Sequence, residues 1–343
     1  AAPKPPSINN GAVVFNGSSA KTVRPGSSSF YDLGFNGSGS WSFTDGFATS
    51  SRHTIITTGT VTMPSGVLAV GGSFTKDGGT LTHNSGTLKL TATGAQTVKL
   101  GGSDTYNITF NGSGGSWSFI DTNATTTNAV RFDNGTATLP SGVFAVGGSW
   151  VVSSGSFTHN SGTVKFNSSD TGEIINPGAS SFRNLTFDSA TGGWTISAHA
   201  TSTGTTTITN AYTFTLASGQ SLEVGSAFVN SVGGASTTWT GSTLFLNSGM
   251  SYSINGKTGN GDVYGTLALG ANTDVKMWNS SADSYSVNSA GSLYSQDHAD
   301  GAGSPQDGDL YIWGDYVARS DEYWAYANDF DGTALGGSSR QVD

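Results

Sequence analysis

The chain has 343 residues and a formal net charge of −9, with 50 glycines and only 11% charged residues. Soluble domains average about 25% charged residues and about 7% glycine, so this composition suits turns and strands better than charge-faced helices. Without cysteine there is no disulfide framework and no thiolate metal site, and no apolar run approaches the roughly 18 residues of a membrane span.

The opening Ala1-Ala2-Pro3-Lys4-Pro5-Pro6 reads as a Pro-rich leader over residues 1–10, of the kind left by signal cleavage after small residues. From there the chain repeats itself. Thr82-His83-Asn84-Ser85-Gly86-Thr87 returns as Thr158-His159-Asn160-Ser161-Gly162-Thr163, an offset of 76 that also carries Trp41 to Trp117 and Met63-Pro64-Ser65-Gly66 to Leu139-Pro140-Ser141-Gly142. In a more diverged third copy, Phe182-Arg183-Asn184-Leu185-Thr186-Phe187 answers Phe30-Tyr31-Asp32-Leu33-Gly34-Phe35, and Trp194 answers Trp117. The repeats fall at 11–85, 86–161 and 162–241, with a partial fourth at 242–290. Whole units recurring at a fixed period signal a stacked architecture, not a reaction.

Each repeat opens on an alternating segment: Val13 and Phe15, then Leu88 and Leu90, Val164 and Phe166, Leu244 and Leu246. Period two predicts a strand with one buried face. A second strand aligns Leu33 and Phe35 with Ile108 and Phe110, Leu185 and Phe187, and Leu267 and Leu269; a third aligns Leu68 and Val70 with Phe144 and Val146, then Leu222 and Val224. Gly-Ser, Asn-Gly, Asp-Gly and Gly-Gly pairs between them are turn chemistry. No segment sustains three helical turns free of Gly, Pro and β-branched residues.

The predicted fold is therefore all-β, a parallel β-helix (β-solenoid) of about three and a half long repeats. At about three coils of roughly 25 residues in each repeat, a dozen coils would extend about 60 Å. A string of Ig-like sandwiches, one per repeat, is the competing architecture. Residues 291–343 form an acidic, aromatic C-terminal segment, expected as a small β module. They hold ten acidic residues against two arginines, −8 of the total −9, which leaves −1 for residues 1–290. A nearly neutral body with an acidic end is unsuited to phosphate recognition, so nucleic acid is excluded as a partner.

Gly162-Thr163-Val164-Lys165-Phe166-Asn167, a polar turn, and then Phe182-Arg183-Asn184-Leu185-Thr186-Phe187 resemble the Gly, Thr and Asn-rich repeats of large bacterial surface proteins and adhesins. The resemblance covers about residues 11–270 and implies a right-handed parallel β-helix at the cell surface. The stretch from Asp307-Gly308-Asp309-Leu310-Tyr311 to Asp329-Phe330-Asp331-Gly332 resembles segments that follow such repeats in surface proteins of uncultured bacterial lineages, and implies no defined activity.

The candidate chemistry is sparse. Trp41, Trp117 and Trp194 are expected in the core, since repeated positions of large area are what a solenoid buries. His83 and His159 lack a second repeating ligand and read as turn residues, with Trp239 at the third position. Asn-x-Ser/Thr sequons at Asn16, Asn36, Asn107, Asn111 and Asn134 are frequent by composition alone. Thr-rich stretches such as Thr205-Thr206-Thr207-Ile208-Thr209 resemble the flat Thr arrays of ice-binding solenoids, but no regular Thr-x-Thr is evident in every coil and Thr is an ordinary strand former, so ice binding is not expected. The acids of the body (Asp32, Asp45, Asp77, Asp104, Asp121, Asp133) fall at turns, so no catalytic residue is nominated and the chain is not expected to be an enzyme. Asp307 and Asp309 beside Gly308, and Asp329 and Asp331 beside Gly332, place hard oxygen ligands two apart, which suits Ca²⁺ without completing an EF-hand.

Solenoids must protect their terminal strands. Here Ala12-Val13-Val14-Phe15 is apolar and follows a leader with no helix signal. These four residues are the expected assembly site, and the partner is another copy of the chain, added head to tail. The expected function is that of a secreted structural protein, an extracellular filament subunit or surface adhesin rod that assembles through its ends. The alternative is a carbohydrate-binding or carbohydrate-degrading β-helix of the lyase or tailspike kind, whose partners are surface glycans.

Overall fold

Alternation of apolar and polar residues, interrupted every few positions by a turn, gives short strands that bury every second side chain. The computed structural model describes residues 11–232 and 236–247, together with the backbone of five further strands, Ser251–Asn255, Tyr264–Leu269, Asp274–Trp278, Leu293–Ser295 and Leu310–Ile312. Every element among the described residues is a strand, and every pairing with a described register is parallel. The chain is a parallel β-solenoid. It divides into two compact units, one of residues 1–168 with 178–180, the other of residues 169–177 with 181–343.

In the first unit each coil has three sides. The first side begins with Ala12–Phe15, Asp32–Phe35, Thr54–Ile56 and Phe74–Lys76, and the second with Lys21–Val23, Ser40–Phe43, Thr60–Thr62 and Thr80–Thr82. The third side runs through Phe47–Ser50, Val67–Val70, Thr87–Leu90 and the first half of Asn107–Phe119. Hydrogen bonds between stacked coils span 20 positions from Arg52 to Asp32, 21 from Asn84 to Met63 and 24 from Thr97 to Ser73. The coil is thus shorter than the roughly 25 residues that three coils per repeat would require. Eleven strand segments, or three and two-thirds coils, separate Ser40–Phe43 from the second half of Asn107–Phe119. The 76-residue repeat is therefore not a whole number of coils. Trp41 lies on the second side, aligned with Val61, whereas Trp117 lies on the first side, aligned with Gln96 and Ala137. Within this unit each repeat is set back by one side, a third of a turn.

Inward positions form ladders along each side. On the third side Leu68, Leu88, Ile108 and Val130 follow one another, as do Val70, Leu90, Phe110 and Phe132, all at most 2% exposed. Phe110 and Phe132 stack with ring centroids 4.9 Å apart. Large and small residues alternate where three side walls converge: Trp117 is followed by Ala137 and then Phe157, which lets the indole project into the lumen without displacing its neighbours. Leu90, Phe166 and Leu246, the three residues expected at equivalent inward positions, are all fully buried.

The second unit obeys the same rules. Glu173–Asn176 pairs with the end of Asn184–Ile196, which pairs with the end of Thr205–Leu216; Ala200–Ser202, Ser221–Val224 and the end of Thr237–Leu246 form another side. Trp194, Phe214 and Trp239 fill its interior.

Candidate functional site

Two features of the first unit stand apart from the repeating core: the outer edge of its first coil and the polar corner behind it. Among the described residues Ala12–Phe15 pairs on one side only, with Asp32–Phe35. The Asn36 N–H donates to the Phe15 carbonyl, so Phe15 and Val13 turn their backbone groups toward the second coil and Val14 turns its N–H and C=O the other way. Val14 is 52% exposed. Val13 and Phe15 are half-buried, although Leu33 and Phe35, the next members of their ladders, are 1% exposed. Phe15 stacks on Phe35 at 5.3 Å. All four residues nominated from the sequence lie together on one strand, whose outward backbone row has no partner among the described residues.

Behind this edge runs a polar corner that sequence reasoning missed. The Arg52 guanidinium donates two hydrogen bonds to the Asp32 carboxylate, Nε to Oδ1 at 2.9 Å and Nη2 to Oδ2 at 2.6 Å, and lies 5.0 Å from the Tyr31 ring centroid. Asp32 Oδ1 also accepts from the His53 N–H at 3.1 Å. Its carboxyl is held below the usual carboxylate range, first by the Arg52 hydrogen bonds, against the opposing effect of burial, with help from the His53 N–H. His53 Nδ1 accepts from the Ser73 N–H, and the Ser73 hydroxyl donates to Gln96 Oε1. One chain of polar contacts thereby ties four successive coils at the same corner.

The corner recurs. Asn107 and Asn184, the repeat equivalents of Asp32, each accept a backbone N–H from the next coil, from Ala129 at 3.1 Å and Thr205 at 2.9 Å. The sequence signal was present in the aligned Asp32, Asn107 and Asn184. It reads as ordinary turn chemistry until the next coil is in place.

The histidine segments form a second recurrent corner. Asn84, Ser85, Asn160 and Ser161 all have positive φ, between 45° and 61°. His83 Nδ1 accepts from the Ser85 N–H and His159 Nδ1 from the Ser161 N–H, both at 3.0 Å, which leaves the ring proton on Nε2. The Asn84 and Asn160 side chains donate to the Met63 and Leu139 carbonyls of the previous coil. A Cβ on Gly86 or Gly162 would fall on the carbonyl oxygen of Pro64 or Pro140, so only glycine fits. Both histidines therefore belong to turns, as their sequence suggests. Trp41, Trp117 and Trp194 are each 1% exposed and belong to the core.

Asp307, Asp309, Asp329 and Asp331, the candidate Ca²⁺ ligands, lie outside the described residues. Among the described residues no three His, Asp or Glu side chains gather into a possible metal site. No helix among them is long and apolar enough to cross a membrane. No protein-family model, curated protein or solved structure matches the chain.

Proposed function

We propose that the protein is a structural component outside the cell, a surface rod or filament subunit whose copies join through their ends. The observation that carries this reading is the strand Ala12–Phe15: a parallel strand paired on one side among the described residues, with Val14 exposed and Val13 and Phe15 half uncovered. Such an edge offers N–H and C=O groups that have no partner among the described residues, in the parallel sense of the internal coils, and a strand from another copy satisfies both the backbone and the apolar side chains. Head-to-tail contacts of this kind extend into filaments wherever the rotation between copies does not close a ring.

Val14→Pro tests the reading. Proline removes an N–H that faces away from the second coil, so the internal ladder keeps its bonds while the outer edge loses a donor. End-to-end association measured by sedimentation and electron microscopy should be lost, with the monomer still folded. A native chain that stays monomeric at high concentration, or a variant that assembles unchanged, overturns the proposal.

A further inference from the structure

Each repeat of the first unit carries one side whose outward positions are almost all hydroxyls. On the second side one outward column runs Thr22, Ser42, Thr62, Thr82, and its neighbour runs Ser40, Thr60, Thr80. On the first side, a repeat later, the columns are Ala95, Ser116, Thr136, Ser156 and Thr97, Ser118, Thr138, Thr158. These strand segments stack without a register break inside either facet. Strand geometry spaces hydroxyls about 4.8 Å apart along a column and about 6.6 Å across it, so each facet is a two-dimensional lattice.

Strand propensity alone does not produce this. Thr favours strands, but Ser does not share its branched side chain. The outward positions on other sides of the same coils carry Asp32, Phe47, Ile55 and Lys89. When the repeat steps back by one side, the hydroxyls move with it. They follow the repeat and not the sheet.

What marks the facet hydroxyls is that they are outward, aligned in columns and nearly all free of protein partners. Off the facets, several Ser and Thr oxygens serve the fold: Ser50 Oγ donates to the His53 carbonyl, Thr58 Oγ1 to the Gly37 carbonyl, and Thr105 and Thr126 bond each other in the core, whereas the buried Thr54 and Thr206 hydroxyls have no partner among the described residues. On the facets only Thr136 and Ser156 bond each other, at 2.8 Å. The other facet hydroxyls have no protein partner among the described residues, and all are exposed or half-exposed. An ordered rank of free hydroxyls, with threonine methyls between them and no charge in any column, offers hydrogen-bond partners to water at regular spacings. Sugar rings would call for outward aromatic faces, and the rings of these strands, Trp41 and Trp117, point into the core.

We propose that the two hydroxyl facets bind the ordered water of an ice surface, whose oxygens repeat in two directions at spacings of the same size. This does not rest on end-to-end assembly. The test uses the full chain, purified and exposed to a slowly growing ice front, with uptake into ice and inhibition of recrystallisation as readouts. Thr62→Lys on one facet and Thr138→Lys on the other should each lower uptake, and the double variant should abolish it. Thr49→Lys, on the third side of the same coils, should leave uptake unchanged, and all variants should keep the wild-type melting temperature within a few degrees. Exclusion of the wild-type chain from ice overturns the proposal, as does equal uptake by the double variant. Retention on insoluble cellulose or chitin without uptake into ice also overturns it, in favour of a polysaccharide surface.

Discussion

Asp32, Asn107 and Asn184 share one role and differ by a charge. Each oxygen receives a backbone N–H of the next coil, while only Asp32 also holds Arg52. Asp32→Asn should therefore keep the clamp and lose the ion pair, a small effect because the Arg52 side chain is half exposed. Asp32→Ala loses both, and its melting temperature should fall further than that of the asparagine variant. The pH dependence comes from the lowered carboxyl. A depressed folded value means that the unfolded chain binds the proton first, so the Asp32 contribution is complete above the ordinary aspartate value of about 3.9 and is lost as pH falls through the folded value. The stability difference between wild type and Asp32→Asn, followed by thermal melts from pH 6 downward, should hold to about pH 4, near the ordinary aspartate value, and close as the pH falls from there through the folded value. A difference that grows with acid would contradict the assignment.

At the scale of a strand, the deciding factor is the fit of one inward side chain to its two neighbours in the ladder. Trp117 stands next to Ala137, and the two together set the volume of that layer. Trp117→Ala should cost about 3–5 kcal/mol through the cavity it leaves, and Ala137→Leu about 1–3 kcal/mol through overpacking, both measured by denaturant unfolding. The indole N–H of Trp117 has no partner among the described residues, so Trp117→Phe removes an unsatisfied donor together with some volume and should cost less than Trp117→Ala. Phe166→Asp is the severe case. It puts an unpaired carboxylate at a fully buried position and should cost at least about 3 kcal/mol.

For the molecule as a whole, the mismatch between the 76-residue repeat and the coil predicts an unusual tolerance. Deleting residues 86–161 joins Ser85 to Gly162 and keeps the His-Asn-Ser-Gly corner intact, since the two corners have the same hydrogen bonds and backbone conformation. Eleven strand segments leave, and the strands of this unit beyond the junction move round by one side. Because each side accepts the same pattern of inward residues, the shortened chain should fold cooperatively into β structure, as circular dichroism and a single melting transition would show. Deleting three whole coils instead preserves the sides but breaks the corners, and should give the less stable product.

Much of this was legible in the sequence. The alternation at Leu88 and Leu90 or Val164 and Phe166 determined that the chain forms strands and which residues face inward, because period two leaves an apolar set only one face to bury. The repeat determined that the units stack, and the tryptophans and histidines fell to core and turn by their chemistry alone. The length of a coil was not legible. Only the strand registers reveal it, because sequence similarity follows duplication whereas the coil follows backbone pairing, and the two need not share a period. The same mismatch hid the hydroxyl facets: Ser40, Thr60 and Thr80 look like scattered strand residues until hydrogen bonding places them in one column. The Asp32 corner stayed hidden for a related reason, since Arg52 and His53 become its partners only when the next coil has closed over it.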